Sequence, residues 1–506
     1  MTVRVSDQSL EPASVPTDAP PSDLAAPSAR RVEQPTPTMA RVPLRGIDAP
    51  ADFTFTLALA VVALVPRLFV ALAWAREPVW DGHYYHFGAE RLAEGLGYSE
   101  DVSVGGVTRW KPWTHYPVGY SGLLSLAYRA FGPSIDVAPL VNALLGTLLV
   151  VVVHRLARYG LNQNRARVAG SLCALHPGLI AYSAVVMTEP TAALFVLGAG
   201  WAAVGLRNRW YGLLLTGVLL GIGALIRPVS LLAAPALLLI GTRPFWKNLL
   251  RTATVTAVAL AVIAPWTARN CRVMDGCALV STNGGWNLAI GALTTTGRFR
   301  TLRADDGCPI VTGQVQQDRC WAEVGQRTIL DNPLRFIGLI PKKLSQTYDH
   351  ESFPIEYLRE AAPELWPDNR REAGRELLTS FHWLLLGAAA LSPVAWVNSQ
   401  RRRISSRTQA ALLLLVAAYT SFCVASPEHP FFALVVMTPL LALLPFPGRP
   451  GFGPTGRYLL ALVFATTLTH AVFFGEDRYH LVISPVLCIL AAAALRKEYA
   501  PAAWAP

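Results

Sequence analysis

Long apolar blocks separated by short polar connections constrain this chain more than any other feature. Twelve such blocks lie at roughly 53–75, 135–157, 166–184, 189–206, 210–226, 229–242, 249–267, 378–397, 408–425, 430–446, 457–474 and 479–495. A helix of about 17–25 apolar residues matches the hydrocarbon thickness of a bilayer. The sixth block is short, and the 210–242 pair divides only at Arg227-Pro228. Charged residues make up 15% of the 506 and hydrophobic ones 52%, whereas an average soluble domain is about 25% charged. The expectation is an all-α polytopic membrane protein, a bundle of about 12 transmembrane helices.

A net charge of +11 would suggest nucleic acid for a soluble chain, but here the basic residues collect in alternate connections. With the N-terminus inside, the inner connections hold Arg155, Arg158, Arg165 and Arg167, then Arg207 and Arg209, then Arg243, Lys247 and Arg251. Arg401, Arg402, Arg403 and Arg407, then Arg449 and Arg457, then Arg496 and Lys497 follow. Every inner connection is basic, which the positive-inside rule requires, and both termini fall in the cytoplasm. No nucleic-acid partner is expected. Residues 1–52 carry nine prolines and too little apolar surface to order, and read as a disordered cytoplasmic tail without a signal-peptide pattern. The expected organisation is this tail, a transmembrane module over 53–268 with a first outer loop at 76–134, an outer loop layer over 269–377, and a C-terminal transmembrane module over 378–506.

Cysteine placement agrees with these sides. Cys271, Cys277, Cys308 and Cys320 share the large outer segment and suggest two disulfides, with three connectivities open. Cys173, Cys423 and Cys488 lie in apolar blocks as small core residues. Within 76–134, Tyr85, Ala89, Leu92 and Leu96 recur at helical spacing, and Val118 to Phe131 follows Pro117. Both patterns predict helices lying in the interface plane.

Ionisable residues near the membrane need a reason. Arg67 lies inside the first block and either snorkels outward or has a function. Arg227, Arg269 and Arg478, the last followed by Tyr479, sit at the outer ends of blocks and together suit an anionic lipid phosphate. Asp81 and Glu189 are carboxylates on the same side; Asp81 also fits a helix N-cap, and Glu189 before Pro190 also fits a helix start. A base beside a phosphate clamp makes a transferase site. His83, His86 and His115 serve either as ligands and proton carriers or as interfacial packing. The turn Thr282-Asn283-Gly284-Gly285-Trp286-Asn287-Leu288 offers the Asn283 and Asn287 amides to a hydroxyl-rich ligand, or is an ordinary turn. The sequence has no P-loop or GxGxxG, so a nucleotide-activated sugar is not the expected donor.

These pieces, in this order and on one side, resemble the polytopic GT-C glycosyltransferases of the protein O-mannosyltransferase-like group, which includes the aminoarabinose transferases. The resemblance runs from 53 to 495. It rests on Asp81-Gly82-His83-Tyr84-Tyr85 with Gly97-Tyr98, Tyr116-Pro117-Val118-Gly119-Tyr120, Thr188-Glu189-Pro190, Arg227-Pro228, Trp266 with Arg269-Asn270, the 282–288 turn and Arg478-Tyr479. It implies a GT-C-like bundle and inverting transfer of a sugar from a polyprenyl-phosphate donor to a glycan, lipid or protein acceptor at the outer face of a bacterial inner membrane. Asp81 would be the general base and Glu189 its support, through a divalent metal in some members; no cofactor is otherwise implied. Arg227, Arg269, Arg478 and Tyr479 would contact the donor phosphate, and His83, Tyr84, Tyr85, His115, Tyr116, Asn283 and Asn287 the substrates. Two departures stand out: His115 precedes Tyr116-Pro117 where some relatives carry a lysine, and Gly291-Ala292-Leu293 replaces a Gly-Asn-Asn. The rival readings are a flippase of lipid-linked sugars, or a ligase using a lipid-diphosphate-linked glycan.

Overall fold

The computed structural model describes residues 50–207, 209–240, 244–309, 313–396, 406–443 and 453–495. All lie in one compact unit, Gly46–Pro506. The tail over 1–49 and the basic positions Arg243, Arg401 to Arg403, Arg449, Arg496 and Lys497 fall outside the described residues.

The expected helical character holds: the regular elements among the described residues are nineteen α-helices, six short 3-10 turns and a single two-stranded hairpin. The first is α1 (Pro50–Trp74), followed by the short α2 (Asp81–Ala93). Strands β1 (Ser99–Val104) and β2 (Val107–Pro112) pair antiparallel around Gly105-Gly106. Both glycines have positive φ, 60° and 78°, the left-handed conformation a two-residue hairpin turn requires. Next come α3 (Val118–Phe131), α4 (Val137–Ala157), α5 (Gln163–Ala174) and α6 (Pro177–Ala181). They lead into α7 (Glu189–Gly205), α8 (Trp210–Ile226), α9 (Ala233–Ala236) and α10 (Phe245–Val273). The segment expected outside supplies α11 (Gly284–Leu293), α12 (Gln314–Asp331), α13 (Pro333–Tyr348) and α14 (Phe353–Ala361). The chain ends with α15 (Asp368–Trp396), α16 (Ser406–Ala425), α17 (Phe432–Leu443), α18 (Pro454–Val472) and α19 (Ser484–Ala494).

Prolines interrupt several of the twelve blocks. Pro177 has no N–H to continue α5, so the chain stops at Ala174 and restarts with His176 capping α6, its Nδ1 accepting from Leu179 N at 3.3 Å. The stretch Pro177–Ala184 then meets α7 at a bend of 119°. Pro228 and Pro235 likewise break 229–242 into 3-10 turns flanking α9. By length and composition α1, α4 and α10 alone among the described helices suffice to cross a membrane, or four spans if the bent pair counts as one.

The largest hydrophobic cluster joins α4, α5, α7, α15 and α19, with Val150, Val153, Ala169, Leu197, Ala390 and Leu487 buried in it. Helix α1 packs on α4 and leaves Phe53, Leu57, Val61, Val65, Phe69 and Leu72 exposed. That four-residue spacing makes one apolar stripe, which a hydrocarbon surrounding satisfies and water does not. Arg67 does not snorkel. It is fully buried, and its guanidinium donates to Ala63 O, Ala174 O and Cys173 O at 2.8, 2.9 and 3.2 Å. A cation thus completes the last carbonyls of α5, at the negative end of that helix.

Helix α11 packs against α12, with Trp286 and Trp321 in contact at 5.5 Å. Of the three connectivities open to the outer cysteines, the fold adopts Cys271–Cys277 and Cys308–Cys320. The other three cysteines are free and buried.

Candidate active site

Asp81 opens α2, and the cap residue is Trp80, so the aspartate does not serve as N-cap. Trp80 has φ 50°, a left-handed backbone that costs a tryptophan about 1–3 kcal/mol. Its indole lies against Phe353 and Tyr357, with ring centroids 5.5 and 5.8 Å away, which holds the turn in place. Gly82 follows because α2 approaches closely there: an added Cβ would collide with the Tyr357 hydroxyl and lie 2.9 Å from Val186 O.

Released from capping, the Asp81 carboxylate takes one bond on each oxygen. Tyr116 donates its hydroxyl to Oδ1 at 2.7 Å, and Arg478 Nη1 donates to Oδ2 at 2.6 Å. Tyr116 is placed by the extended Pro117 that caps α3. Arg478 sits in the turn before α19, and its Nε lies 2.7 Å from Glu476 Oε2. Burial raises the proton affinity of Asp81, but Arg478 and the Tyr116 hydroxyl outweigh it and hold the carboxyl below the usual range. Glu476 goes the other way: burial pushes its carboxyl up against the pull of Arg478.

A second pair lies beside the first. Glu189 is fully buried at the first turn of α7, and its Oε1 accepts from Arg227 Nη1 at 2.6 Å. Thr188 Oγ1 accepts from the same nitrogen at 3.1 Å. The two pairs meet at Tyr479, whose ring lies 5.3 Å from the Arg227 guanidinium and 5.0 Å from that of Arg478. His470 stacks behind Tyr479 at 4.4 Å. Asp81, Glu189, Arg227, Arg478, Tyr479 and Tyr116 therefore form one cluster built from separate parts of the chain.

The remaining expected residues spread out from it. Tyr84 stacks on Tyr116 at 5.3 Å and is half exposed; Tyr85 is buried against Tyr116 and Tyr120. His115 touches Tyr116 and Trp286, and burial lowers its proton affinity against the pull of Asp81. His83 is exposed on another side of α2, beside Phe87. His86 is buried, with Nδ1 2.6 Å from the Tyr128 hydroxyl. Asn283 Oδ1 accepts from Ser281, and Asn287 lies half-buried one turn along α11. Arg269 differs from the other two arginines. Its guanidinium donates to Tyr98 O at 2.6 Å, Trp113 O at 2.9 Å and Asn270 Oδ1 at 3.0 Å, and lies over Trp266. It fastens the Tyr98–Trp113 loop to α10, with Nη1 and Nη2 both engaged.

At Glu189 an arginine occupies Oε1, Oε2 is buried without a hydrogen-bond partner, and among the described residues no trio of His, Cys, Asp or Glu ligand atoms gathers there. Sequence reasoning missed Glu476 and Phe353, whose ring lies 5.1 Å from the Arg478 guanidinium. Glu476 was visible only as one of the charges in 475–479, and Phe353 carried no signal.

Residues 115–268 match the sequence model of the family described as dolichyl-phosphate-mannose-protein mannosyltransferase. No curated protein matches the chain in sequence. Among solved structures the chain is similar to the oligosaccharyltransferase AglB of Archaeoglobus fulgidus, in complex with an inhibitory peptide and a dolichol-phosphate. Identity is 14%, coverage 87% of this chain and 50% of that one, and the TM-score 0.44. It is also similar to ArnT from Cupriavidus metallidurans bound to undecaprenyl phosphate, at 16% identity, with 86% and 78% covered and a TM-score of 0.35. The chain spans about half the length of the archaeal enzyme. The family match covers Tyr116, Glu189 and Arg227, and over that stretch the chain is similar to the mannosyltransferase family.

Proposed function

We propose that the chain transfers a sugar from a polyprenyl-phosphate donor to an acceptor at the outer face of the cytoplasmic membrane, with inversion and with Asp81 as general base. The observation that carries this reading is the juxtaposition of Asp81 with Arg478, and through Tyr479 with Arg227. A donor phosphate needs charge-assisted donors, and the acceptor hydroxyl needs a carboxylate nearby. Both are present within one cluster.

The ion pairs suggest an order of events. In the free protein Arg478 is shared between Asp81 and Glu476. An incoming phosphate competes for that guanidinium and weakens its hold on Asp81. The carboxylate then gains proton affinity and can take the acceptor proton as the oxygen attacks the anomeric carbon. The lipid phosphate leaves with the bonding electrons, its charge held by Arg478 and Arg227. Glu189 acts through Arg227, which it orients. Glu476, whose carboxyl burial pushes up, is a carboxyl able to take a proton when the phosphate adds negative charge.

The test is transfer by the purified chain from a polyprenyl-monophosphate sugar, set against a lipid-diphosphate-linked glycan. Wild type is expected to use the monophosphate. Asp81→Asn should keep a monodisperse elution profile and lose about 10²–10⁴-fold in kcat, because an amide cannot take the proton. A fully active Asp81→Asn protein rules out the base, and exclusive use of the diphosphate donor favours a ligase.

A further inference from the structure

Behind the Arg478 turn lies a second group of ionisable side chains that the transfer reaction does not use. Glu351 follows α13, His382 lies on α15, and His480 lies two residues after Arg478. All three are at most 1% exposed. Glu351 Oε2 is 3.1 Å from His480 Nε2 and 3.7 Å from His382 Nδ1, and the ligand atoms of the three residues all lie within 4.8 Å of one another.

The outer bonds of the two imidazoles fix their protons. His480 Nδ1 faces Thr347 O at 2.6 Å, and His382 Nε2 faces Tyr348 O at 2.9 Å. A carbonyl only accepts, so each of those nitrogens carries the hydrogen. His480 Nε2 lies at hydrogen-bond distance from Glu351 Oε2, so it either carries a second hydrogen or presents a lone pair there, whereas His382 Nδ1 has no partner and presents a lone pair. With both rings neutral, three electron-rich atoms converge in a buried space, and a proton or a metal cation among them relieves the repulsion. Metal-ligating histidines show this arrangement, with the far ring nitrogen donating to a backbone carbonyl.

Further observations point to a ligand. His382 Nδ1 and Glu351 Oε1 have no hydrogen-bond partner despite full burial. The carboxylate rests against the bare Cα of Gly178, where any Cβ would overlap Oε1. His176 is a different case: its Nδ1 accepts from Leu179 N, so its Nε2 carries the hydrogen and faces Glu351 Oε2 at 4.0 Å. Its Nε2 has no hydrogen-bond partner of its own.

We propose that Glu351, His382 and His480 bind a divalent transition-metal ion of the zinc class. Two imidazole nitrogens and one carboxylate oxygen favour zinc over magnesium or calcium, which prefer all-oxygen surroundings. The site is separate from Asp81 and Glu189 and does not rest on the proposed function. It would join the α13–α14 connection, α15 and the turn that carries Arg478.

The test uses the tag-free full chain in detergent, loaded with Zn²⁺ and desalted before metal analysis. About one zinc per folded chain is expected, retained by Asp81→Asn and lost in His382→Ala and in Glu351→Gln. Loading wild type with Co²⁺ in place of Zn²⁺ should give ligand-field absorption in the visible, which decides the matter even if both variants fail to fold. A monodisperse wild-type chain that retains neither ion overturns the proposal. So does zinc retained undiminished by a folded His382→Ala.

Discussion

Asp81 shows how little a single residue says without its neighbours. Its place at the start of α2 suits an N-cap, yet its carboxylate is taken by Tyr116 and Arg478 and the cap falls to a strained Trp80. The electrostatics make a prediction about pH. In the proposed reaction the working form is the carboxylate, and in the free protein Arg478 and Tyr116 hold its pKa below the usual range despite burial. Activity is therefore full at neutral pH and falls as pH drops through that depressed value. Once the donor phosphate competes for Arg478, the pKa rises. The acid limb of kcat, which reports the complex, should lie at higher pH than the acid limb of kcat/KM, which reports the free protein. Coincident limbs in the two profiles would mean that the donor does not touch the Asp81–Arg478 pair.

At the scale of the elements, the helices with a strong period were legible and the interruptions less so. Helix α3 has the bounds read from its sequence, Val118 to Phe131, and α2 (Asp81–Ala93) takes in Tyr85, Ala89 and Leu92 of the expected repeat but stops short of Leu96. The β1–β2 hairpin was not expected, although Gly105-Gly106 between valines carried its signal. Two substitutions test how the elements are held. Gly82→Ala pushes a Cβ into the Tyr357 hydroxyl and the Val186 carbonyl, so α2 must shift. Overpacking of this kind costs about 1–3 kcal/mol. Transfer should fall along with Tm, and an unchanged Tm with unchanged rate would show that the contact yields freely. Arg67→Met strands the last carbonyls of α5, at about 1–3 kcal/mol for buried groups left unpaired. Thermal unfolding in detergent should register the loss, and Arg67→Lys should not restore it, since an ammonium lacks the planar fork that reaches Ala63, Cys173 and Ala174 together.

At the scale of the whole molecule, sidedness is the property that the basic connections predict. Thr108, exposed on the hairpin, should be outside, and Arg209, between α7 and α8, should be inside. A Thr108→Cys protein in intact cells should therefore react with a membrane-impermeant maleimide, and an Arg209→Cys protein only after permeabilisation. The reverse pattern would invert the topology and move the Asp81 cluster to the cytoplasmic face. The sequence by itself determined that the chain is helical and built for a membrane, because long apolar blocks and a periodic charge bias are local properties that no packing can undo. It also named most of the Asp81 cluster through its resemblance. Only the tertiary structure decided that Arg227 and Arg478 flank one tyrosine while Arg269 is consumed by carbonyls, and that Glu351, His382 and His480 converge. The arginines look alike in sequence. What separates them is which acceptors the fold brings within reach of each guanidinium, a matter of long-range contacts that no local pattern encodes.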